Sequence, residues 1–305
     1  MFKYPELARK ILSPWLGQVL SADNEVRGNV ERMKEPFKTW TGSILALDIA
    51  GELYTHTMYW RMKMEQKALS FNPANTDSEL YINPLSEIRV RGLHDIGDAQ
   101  TMASLLMESG VCGTDHWILG GRNILTMCIL YELYKSCEEE KRPSLAHINS
   151  LLYKDIEDFL NDVKYHAYSY TCPQETLSFI QENVKVLYDM PGNELKPMLS
   201  SVRTRLDLFQ DPIIAHNTSR SDIELSSLVG EIPFSKPFSL YLNLPRSQFC
   251  RLLPLYRLLF GLVFRFQEER GNRVPLLVVV PRKLKHWLPA SSENWIFQSI
   301  KSTES

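Results

Sequence analysis

A continuous apolar run near the end of the chain, Val274–Val280, constrains the fold more than any other feature. Strands that are covered on both faces of a parallel sheet have such runs, in which apolar and polar residues do not alternate. Three other short segments fit strands of the same sheet, namely Gly42–Ile49, Lys67–Phe71 and Phe238–Leu244. The chain is therefore predicted to build an α/β sheet.

A long helical block interrupts these strands. From about Asp95 to Leu228 the apolar residues recur at helical spacing. Prolines divide this block into short helices at Pro143, Pro173, Pro191 and Pro212. Two further helices are predicted, at Tyr4–Leu20 and at Arg246–Arg270. The order of the elements describes an α/β sheet with an all-α insertion.

The composition is typical of a soluble globular chain with one large or two smaller domains. The 305 residues are 44% hydrophobic and 23% charged, and the formal net charge is -2. This charge gives no global positive field that would draw the chain to DNA or to an anionic membrane. The five cysteines include no C-x-x-C pair, which favours a reducing compartment. No signal peptide or membrane-spanning apolar stretch is apparent, so a cytoplasmic location is predicted.

Several short motifs occur in a fixed order between Trp40 and Val280. They are Trp40-Thr41-Gly42-Ser43, Leu47-Asp48-Ile49-Ala50-Gly51-Glu52, Tyr59-Trp60-Arg61, Asn83-Pro84-Leu85, Asp115-His116-Trp117, Asp211-Pro212 and Asn217-Thr218-Ser219-Arg220-Ser221-Asp222. In this order and spacing the chain resembles the TraG/TraD-type coupling proteins of type IV secretion, which are conjugal DNA-transfer ATPases.

The resemblance implies a RecA-like P-loop NTPase sheet with an inserted all-α domain. Such proteins are hexameric, are anchored in the inner membrane on its cytoplasmic face, and use ATP and Mg²⁺. They carry single-stranded DNA bound to a relaxase, and their all-α domain recognises relaxosome or secreted cargo. The implied domains are a partial nucleotide-binding domain over 38–94 and 230–280 and an all-α domain over 95–229. An N-terminal helix and irregular segment over 1–37 precedes them, and a tail unlike the family, 281–305, follows.

Two sequence motifs of the family's ATPase chemistry are missing. The phosphate-binding loop is expected near Val26-Arg27-Gly28-Asn29, but no G-x-x-x-x-G-K occurs there or elsewhere in the chain. After the strand that ends at Val280 the family continues Asp-Glu-Phe, whereas this chain continues Pro281-Arg282-Lys283. The chain is thus expected to be a form truncated at both ends, without a membrane anchor, ATPase activity of its own, a cofactor, catalytic residues or a metal site. The shortened sheet is also expected to leave Val274–Val280 as an unpaired edge.

Three residues are candidates for a nucleotide-proximal role by resemblance. Asp48 and Glu52 follow a strand at the edge where α/β proteins bind ligands, and the alternative is that solvated acids cap a turn. Arg61 could contact a phosphate across a subunit boundary, and the alternative is an ordinary surface arginine. Without a phosphate-binding loop, capping and a surface location are favoured.

Other residue groups have weaker functional interpretations. Arg203 and Arg205 are candidate phosphate or DNA contacts, as is the basic cluster Arg282, Lys283, Lys285 and His286, but short basic clusters are usually solvated. Cys112 and His116 have a spacing seen in zinc sites, although packing or helix capping is the favoured interpretation. A hydrolase interpretation of Asp211, His216, Ser221 and Asp222 lacks a nucleophile elbow, so helix caps and turns are predicted there.

The leading functional hypothesis is a coupling-protein remnant whose all-α domain recognises a relaxosome or cargo protein. Self-association is implied only by the hexamers of the family. One alternative is a piece of a split coupling-protein ATPase whose missing motifs come from neighbouring reading frames. Another is a helical interaction protein that is unrelated to secretion.

Overall fold

The computed structural model describes residues 18–22, 36–107, 116–137, 142–154, 156–167, 172–230, 236–270, 274–281 and 296–299. The chain divides into two compact units, one of residues 1–72 with 224–305 and one of residues 73–223. We call them the sheet unit and the helical unit. This division assigns residues 73–94 to the helical unit and residues 224–229 to the sheet unit. Both boundaries of the helical unit therefore lie closer to the N-terminus than the sequence predicts.

The sheet unit contains a six-stranded sheet whose neighbouring strands all pair in parallel. The strands are β1 (Gln18–Ala22), β2 (Ser43–Ile49), β3 (Lys67–Phe71), β4 (Phe238–Leu244), β5 (Leu276–Pro281) and β6 (Ile296–Ser299). Their spatial order is β3-β4-β2-β5-β1-β6. The predicted α/β sheet with a helical insertion is confirmed.

Strand β5 lies in the middle of the sheet. It pairs with β2 from Ser43 opposite Leu276 and with β1 as far as Ala22 opposite Pro281. The prediction of an unpaired edge at 274–280 is therefore wrong, because it did not foresee a strand from the N-terminal segment. The described sheet has its edges at β3 and β6.

The N-terminal segment also differs from expectation. Residues 18–20 were predicted to end a helix, and they belong to strand β1 between β5 and β6. Pairing with two neighbours stabilises the extended conformation over the local helical pattern, since tertiary context overrides weak propensity. The rest of the predicted helix, residues 4–17, lies outside the described residues.

Both faces of the central strands are buried. Ile44 and Ala46 of β2, Tyr241 of β4 and Leu277 and Val279 of β5 form one core cluster. The residues between them on the same strands are equally buried. This arrangement explains why these strands have continuous apolar sequences.

Two helices of the sheet unit pack against its strands. Helix α1 (Glu52–Lys63) follows β2 and packs on β2, β3 and β4. Helix α9 (Phe249–Arg270) follows β4 after the short 3₁₀ turn Arg246–Gln248. The structure supports the packed-helix interpretation of α9, and no helix among the described residues combines the length and apolarity of a membrane span.

The helical unit is built around one long helix. Its helices are α2 (Asp95–Met107), α3 (His116–Cys137), α4 (Leu145–Leu152), α5 (Ile156–His166), α6 (Gln174–Tyr188), α7 (Gly192–Leu206) and α8 (Pro212–Asn217). Helix α3 is buried on all sides from Ile124 to Tyr134 and packs against α2, α4, α6 and α7. At Gly120 a Cβ atom would lie 2.2 Å from the Met198 sulfur, so a larger residue would displace the Met198 side chain where α7 approaches α3.

Polar bonds close the base of the helical unit, where the chain enters and leaves it. The Asn217 amide donates to the carbonyl oxygens of Pro73 at 3.0 Å and Asn75 at 2.7 Å. Asn217 also accepts from Ile82 N through its own backbone carbonyl, at 3.2 Å. The Asn83 amide donates to Pro143 O at 2.9 Å. The entering and leaving segments are thus joined within the unit itself.

Candidate functional site

The carboxyl ends of the parallel strands form the edge where α/β proteins bind ligands. We call it the carboxyl edge. Strand β1 ends beside β5, with Ala22 opposite Pro281, and β2 ends beside β4, with Ile49 opposite Leu244. The expected phosphate-binding loop follows β1, and the expected acidic pair follows β5. Two adjacent strands therefore end where these motifs are expected to begin, although residues 23–35 and 282–295 lie outside the described part of the chain.

Asp48 is fully buried at this edge and binds the start of helix α1. Its two carboxylate oxygens accept from Leu53 N at 2.9 Å and from Tyr54 N at 2.8 Å. The chain can turn back to place these donors because Ala50 and Gly51 have φ angles of 65° and 75°. Burial raises the pKa of Asp48 to about 6, against the lowering effect of the two backbone bonds. The favoured capping interpretation agrees with this geometry, but the acid is buried and not solvated.

Glu52 contacts a different group from Asp48 and does not form a carboxylate pair with it. Its Oε1 lies 3.6 Å from Nη2 of Arg246, the first residue of the turn after β4. The side chains of Glu52 and Arg246 are 36% and 60% exposed. Surface ion pairs of this kind contribute little to stability, so both groups remain available at the edge.

Arg61 is fully buried beneath helix α1, so the expected surface location is wrong. Its Nε donates to Ser239 Oγ at 2.8 Å, Nη1 to Phe37 O and Trp40 O, and Nη2 to Gly42 O and Gln66 Oε1. These bonds engage all five N–H groups of the guanidinium. Desolvation lowers its pKa to about 10, which leaves it charged at neutral pH. A phosphate contact through Arg61 stays a prediction, and it would require some of these bonds to break.

A third polar contact attaches the middle of α1 to the sheet. Thr57 Oγ1 and Tyr241 OH lie 2.8 Å apart, and both residues are buried. Asp48 binds the N-terminal end of the helix and Arg61 lies near its C-terminal end. Helix α1 is therefore fixed to β2 and β4 at three levels along its length.

The basic candidates of the helical unit are engaged within the unit or partly buried. Arg203 Nε donates to Leu152 O at 2.8 Å, and its guanidinium lies 5.1 Å from the ring centroid of Tyr153. Arg205 is half-buried on the same helix. A DNA contact through Arg203 or Arg205 stays a prediction. The basic cluster at 282–286 lies outside the described residues.

The four residues of the hydrolase interpretation act as caps and turn contacts. Asp211 accepts from Ile213 N at 2.8 Å at the start of α8. Asp222 accepts from Tyr81 N at 2.9 Å, and Ser221 Oγ accepts from Asn83 N at 2.8 Å. His216 Nε2 lies 3.4 Å from the hydroxyl of Tyr81. The predicted structural roles are confirmed for Asp211, Ser221 and Asp222.

The zinc interpretation receives no support from the described residues. Cys112 lies outside them, and they contain no group of three His, Cys, Asp or Glu side chains that could hold a metal ion. At the described carboxyl edge both Asp48 oxygens bind α1, and Pro281 follows Val280.

Sequence reasoning missed several residues that hold the site together. Gln66 receives a bond from Arg61 and donates to Thr41 O at 2.7 Å. Ser239 and Tyr241 contact α1 from strand β4, 178 and 184 residues further along the chain than their partners Arg61 and Thr57. No local pattern marks the contacts of Ser239 and Tyr241, since each joins residues that are distant in sequence.

Comparison with known proteins decides the family. Residues 38–277 match the family described as Type IV secretory system Conjugative DNA transfer. The chain belongs to this family. It is 30% identical over 237 residues to a conjugal transfer protein TraG of Escherichia coli, covering 76% of this chain and 36% of that protein. It is 26% identical over 228 residues to VirD4 of Rhizobium radiobacter, covering 73% of this chain and 30% of VirD4.

Solved structures of the coupling protein TrwB share the fold. TrwB in complex with the ATP analogue ADPNP superposes with a TM-score of 0.59 at 12% identity, covering 93% of this chain and 62% of TrwB. TrwB in complex with ADP and Mg²⁺ gives a TM-score of 0.55 at 13% identity, with coverages of 87% and 63%. The chain spans about a third of the length of its curated relatives TraG and VirD4.

Proposed function

We propose that this chain is a coupling protein of conjugative DNA transfer that recognises cargo and does not hydrolyse ATP by itself. The pairing of β1 with β5 carries this proposal. The phosphate-binding loop and the magnesium-side acids would have to follow these two strands. The sequence after β1 has no G-x-x-x-x-G-K, and Pro281 ends β5 where the family has an acid.

The remaining polar groups of the carboxyl edge do not replace these motifs. Asp48 uses both oxygens to bind α1. Arg61 lies at the opposite edge, where β2 and β4 begin, and uses all five donors within the fold. Glu52 and Arg246 are two charged residues of the described edge, and they lie close to each other. A motor needs charge stabilisation around the transferred phosphoryl group, and these residues do not supply it.

Recognition is assigned to the helical unit. This unit has its own core around α3 and a base closed by Asn83 and Asn217, so it can present a stable surface. The partner is a relaxosome or secreted protein by the family resemblance, with single-stranded DNA as the cargo of the family. A location at the cytoplasmic face of the inner membrane and self-association into rings belong to the same proposal.

Nucleotide binding tests the loss of ATPase activity. The purified full chain is titrated with ATP and Mg²⁺ in a calorimeter, and phosphate release is measured in parallel. TrwB serves as the positive control, since its solved structures hold ADPNP or ADP with Mg²⁺. We expect no binding and no turnover, and turnover by this chain alone would contradict the proposal.

A two-hybrid assay tests the recognition role. The helical unit, residues 73–223, is paired with the relaxase encoded by the same conjugative element. Binding that survives in the isolated helical unit supports the assignment. Binding that requires only the sheet unit contradicts it.

A split ATPase is the second candidate function. It is favoured by the partial coverage of the relatives together with the presence of the central strands β1, β2 and β5. Under this hypothesis, co-expression with the products of the flanking reading frames restores ATP turnover. The same co-expression gives no turnover if the chain acts only in recognition.

A further inference from the structure

One exposed surface of the sheet unit combines aromatic rings with lysines. It lies on helix α1, away from the residues that bind the helix to the sheet. Tyr59 and Met62 are 55% and 63% exposed, and Trp60 is half-buried beside them. The rings of Tyr59 and Trp60 meet edge to face, with centroids 5.4 Å apart. We call these residues, with Lys38 and Lys63, the α1 surface.

The lysines of this surface lie over the rings. Lys63 Nζ is 4.7 Å from the ring centroid of Tyr59 and 5.5 Å from that of Trp60. Lys38, from the segment before β2, places its Nζ 5.0 Å from the Trp60 centroid. Two ammonium groups from separate parts of the chain therefore converge on one pair of aromatic rings.

The surroundings make this surface locally positive on a chain of net charge -2. Between residues 53 and 67 the sequence has one carboxylate, Glu65, against the exposed lysines Lys63 and Lys67. Arg61 in the same stretch is buried and bound to backbone oxygens. An anionic partner is thus favoured at this surface.

Aromatic rings next to lysines are the groups that single-stranded nucleic acids contact, because bases stack on the rings and phosphates bind the ammonium groups. A protein partner would be expected to bury an apolar centre from which lysine is depleted. A membrane would need a longer apolar face than α1 offers, since its inner side is fixed to the sheet through Thr57 and Arg61.

We propose that the α1 surface is a contact site for single-stranded DNA, with a base on Tyr59 and backbone phosphates on Lys63 and Lys38. This site lies on the sheet unit and includes none of the residues described at the carboxyl edge. It therefore goes beyond the proposed recognition of protein cargo, and it holds whether or not the chain hydrolyses ATP.

Fluorescence anisotropy of a labelled oligothymidylate with the full chain tests the proposal. We expect the wild type to bind the single strand more tightly than a duplex of equal length. The double variant Tyr59→Ala/Lys63→Ala should lose on the order of tenfold or more in affinity, as expected for one stacked base and one phosphate contact. Its salt dependence should also become shallower by about 0.7 in the logarithmic slope.

A matched control is available on the helical unit. There Lys164 Nζ lies 6.0 Å from the ring centroid of Tyr165, which is 69% exposed. The variant Lys164→Ala/Tyr165→Ala removes the same chemistry elsewhere and should bind DNA like the wild type. Tyr59→Phe keeps the ring face and should retain most of the affinity.

Three results would overturn the proposal. The first is that the wild type does not bind the oligonucleotide, and the second is that the two double variants lose equal affinity. The third is that Tyr59→Ala/Lys63→Ala, measured without DNA, also changes the sedimentation of the chain or its binding to lipid vesicles. The last result would assign the surface to a second copy of the chain or to a lipid surface. None of these results changes the ATP titration, so failure of this site and failure of the proposed function are distinguishable.

Discussion

Arg61 shows how a residue can match a motif and serve the fold. In the sequence it follows Tyr59-Trp60 on a helix and reads as a surface cation. In the structure its five donors bind Ser239, Gln66 and the backbone oxygens of Phe37, Trp40 and Gly42. Carbonyl oxygens have no sequence signature, so the burial of this arginine could not be predicted.

Replacing Arg61 should destabilise the protein strongly. Arg61→Leu leaves several buried acceptors without donors, and we expect a loss of about 3–5 kcal/mol in the free energy of unfolding. Arg61→Lys should recover little of this, because one ammonium cannot reproduce the planar five-donor geometry. Urea-induced unfolding of the full chain measures both. Arg251→Ala, at an exposed position, serves as the control and should change stability by no more than about 0.5 kcal/mol. An Arg61→Lys variant as stable as the wild type would contradict this role.

Asp48 predicts a pH dependence of stability with a definite sign. Its pKa is raised from 3.8 to about 6 in the folded chain. The folded state thus binds the proton more tightly than the unfolded state. The corresponding contribution to stability is fully present below about pH 4 and is lost as the pH rises through about 6. A shift of about two units corresponds to roughly 3 kcal/mol.

Asp48→Asn removes this titration while keeping one acceptor for the start of α1. We therefore expect the stability advantage of the wild type over Asp48→Asn to shrink as the pH rises from 4 to 7. Urea unfolding of both proteins across this range provides the measurement. A stability difference that is constant with pH, or that grows as the pH rises, would rule out the raised pKa.

At the scale of elements, sequence periodicity located the main strands and helices, but it did not show which strands lie next to each other in the sheet. Strands β2 to β5 and helix α9 lie close to their predicted positions, because burial imposes the patterns that sequence displays. The neighbours of β5 could not be predicted. Its partner β1 is a five-residue strand in a segment with a helical apolar pattern, and strand pairing is a long-range property.

The start of β2 gives a test of close packing between elements. A Cβ atom on Gly42 would lie 1.9 Å from Pro275 O, the acceptor of a 2.9 Å bond from Ser43 N. Gly42→Ala should therefore separate β2 from the start of β5 and cost about 2–3 kcal/mol. Gly192→Ala is the matched control, because nothing lies within 4 Å of its Cβ position. Substitution there at the start of α7 should be neutral or stabilising by about 0.5 kcal/mol. Equal effects of the two substitutions in urea unfolding would contradict this packing.

At the scale of the whole molecule, the chain consists of two units with separate cores. The general location of the carboxyl edge could be predicted, because a strand followed by Asp48 and Gly51 marks it. The ion pair of Glu52 with Arg246 could not be predicted, because the whole helical unit separates these two residues along the sequence. The helical insertion itself was evident from sequence, whereas its closed base depends on polar contacts between its two ends.

The closed base predicts that residues 73–223 fold alone. We expect this fragment to show a helical circular dichroism spectrum and a cooperative thermal transition. Asn217→Ala removes the bonds to Pro73 and Asn75 and should lower the melting temperature by about 3–8 °C. The exposed Asn123 offers the control Asn123→Ala, which should leave the transition nearly unchanged. A fragment without a cooperative transition would refute its independence.

The central place of β5 also sets the order in which the molecule can be assembled on the ribosome. Strand β2 is synthesised early, yet its two neighbours, β4 and β5, begin at Phe238 and Leu276. The helical unit is complete by residue 223 and can fold while synthesis continues. The apolar strand β2 must wait with both of its edges unpaired until β4 has emerged, and its second edge stays unpaired until β5 follows. Nascent chains of this protein should therefore depend on protection by chaperones during that interval.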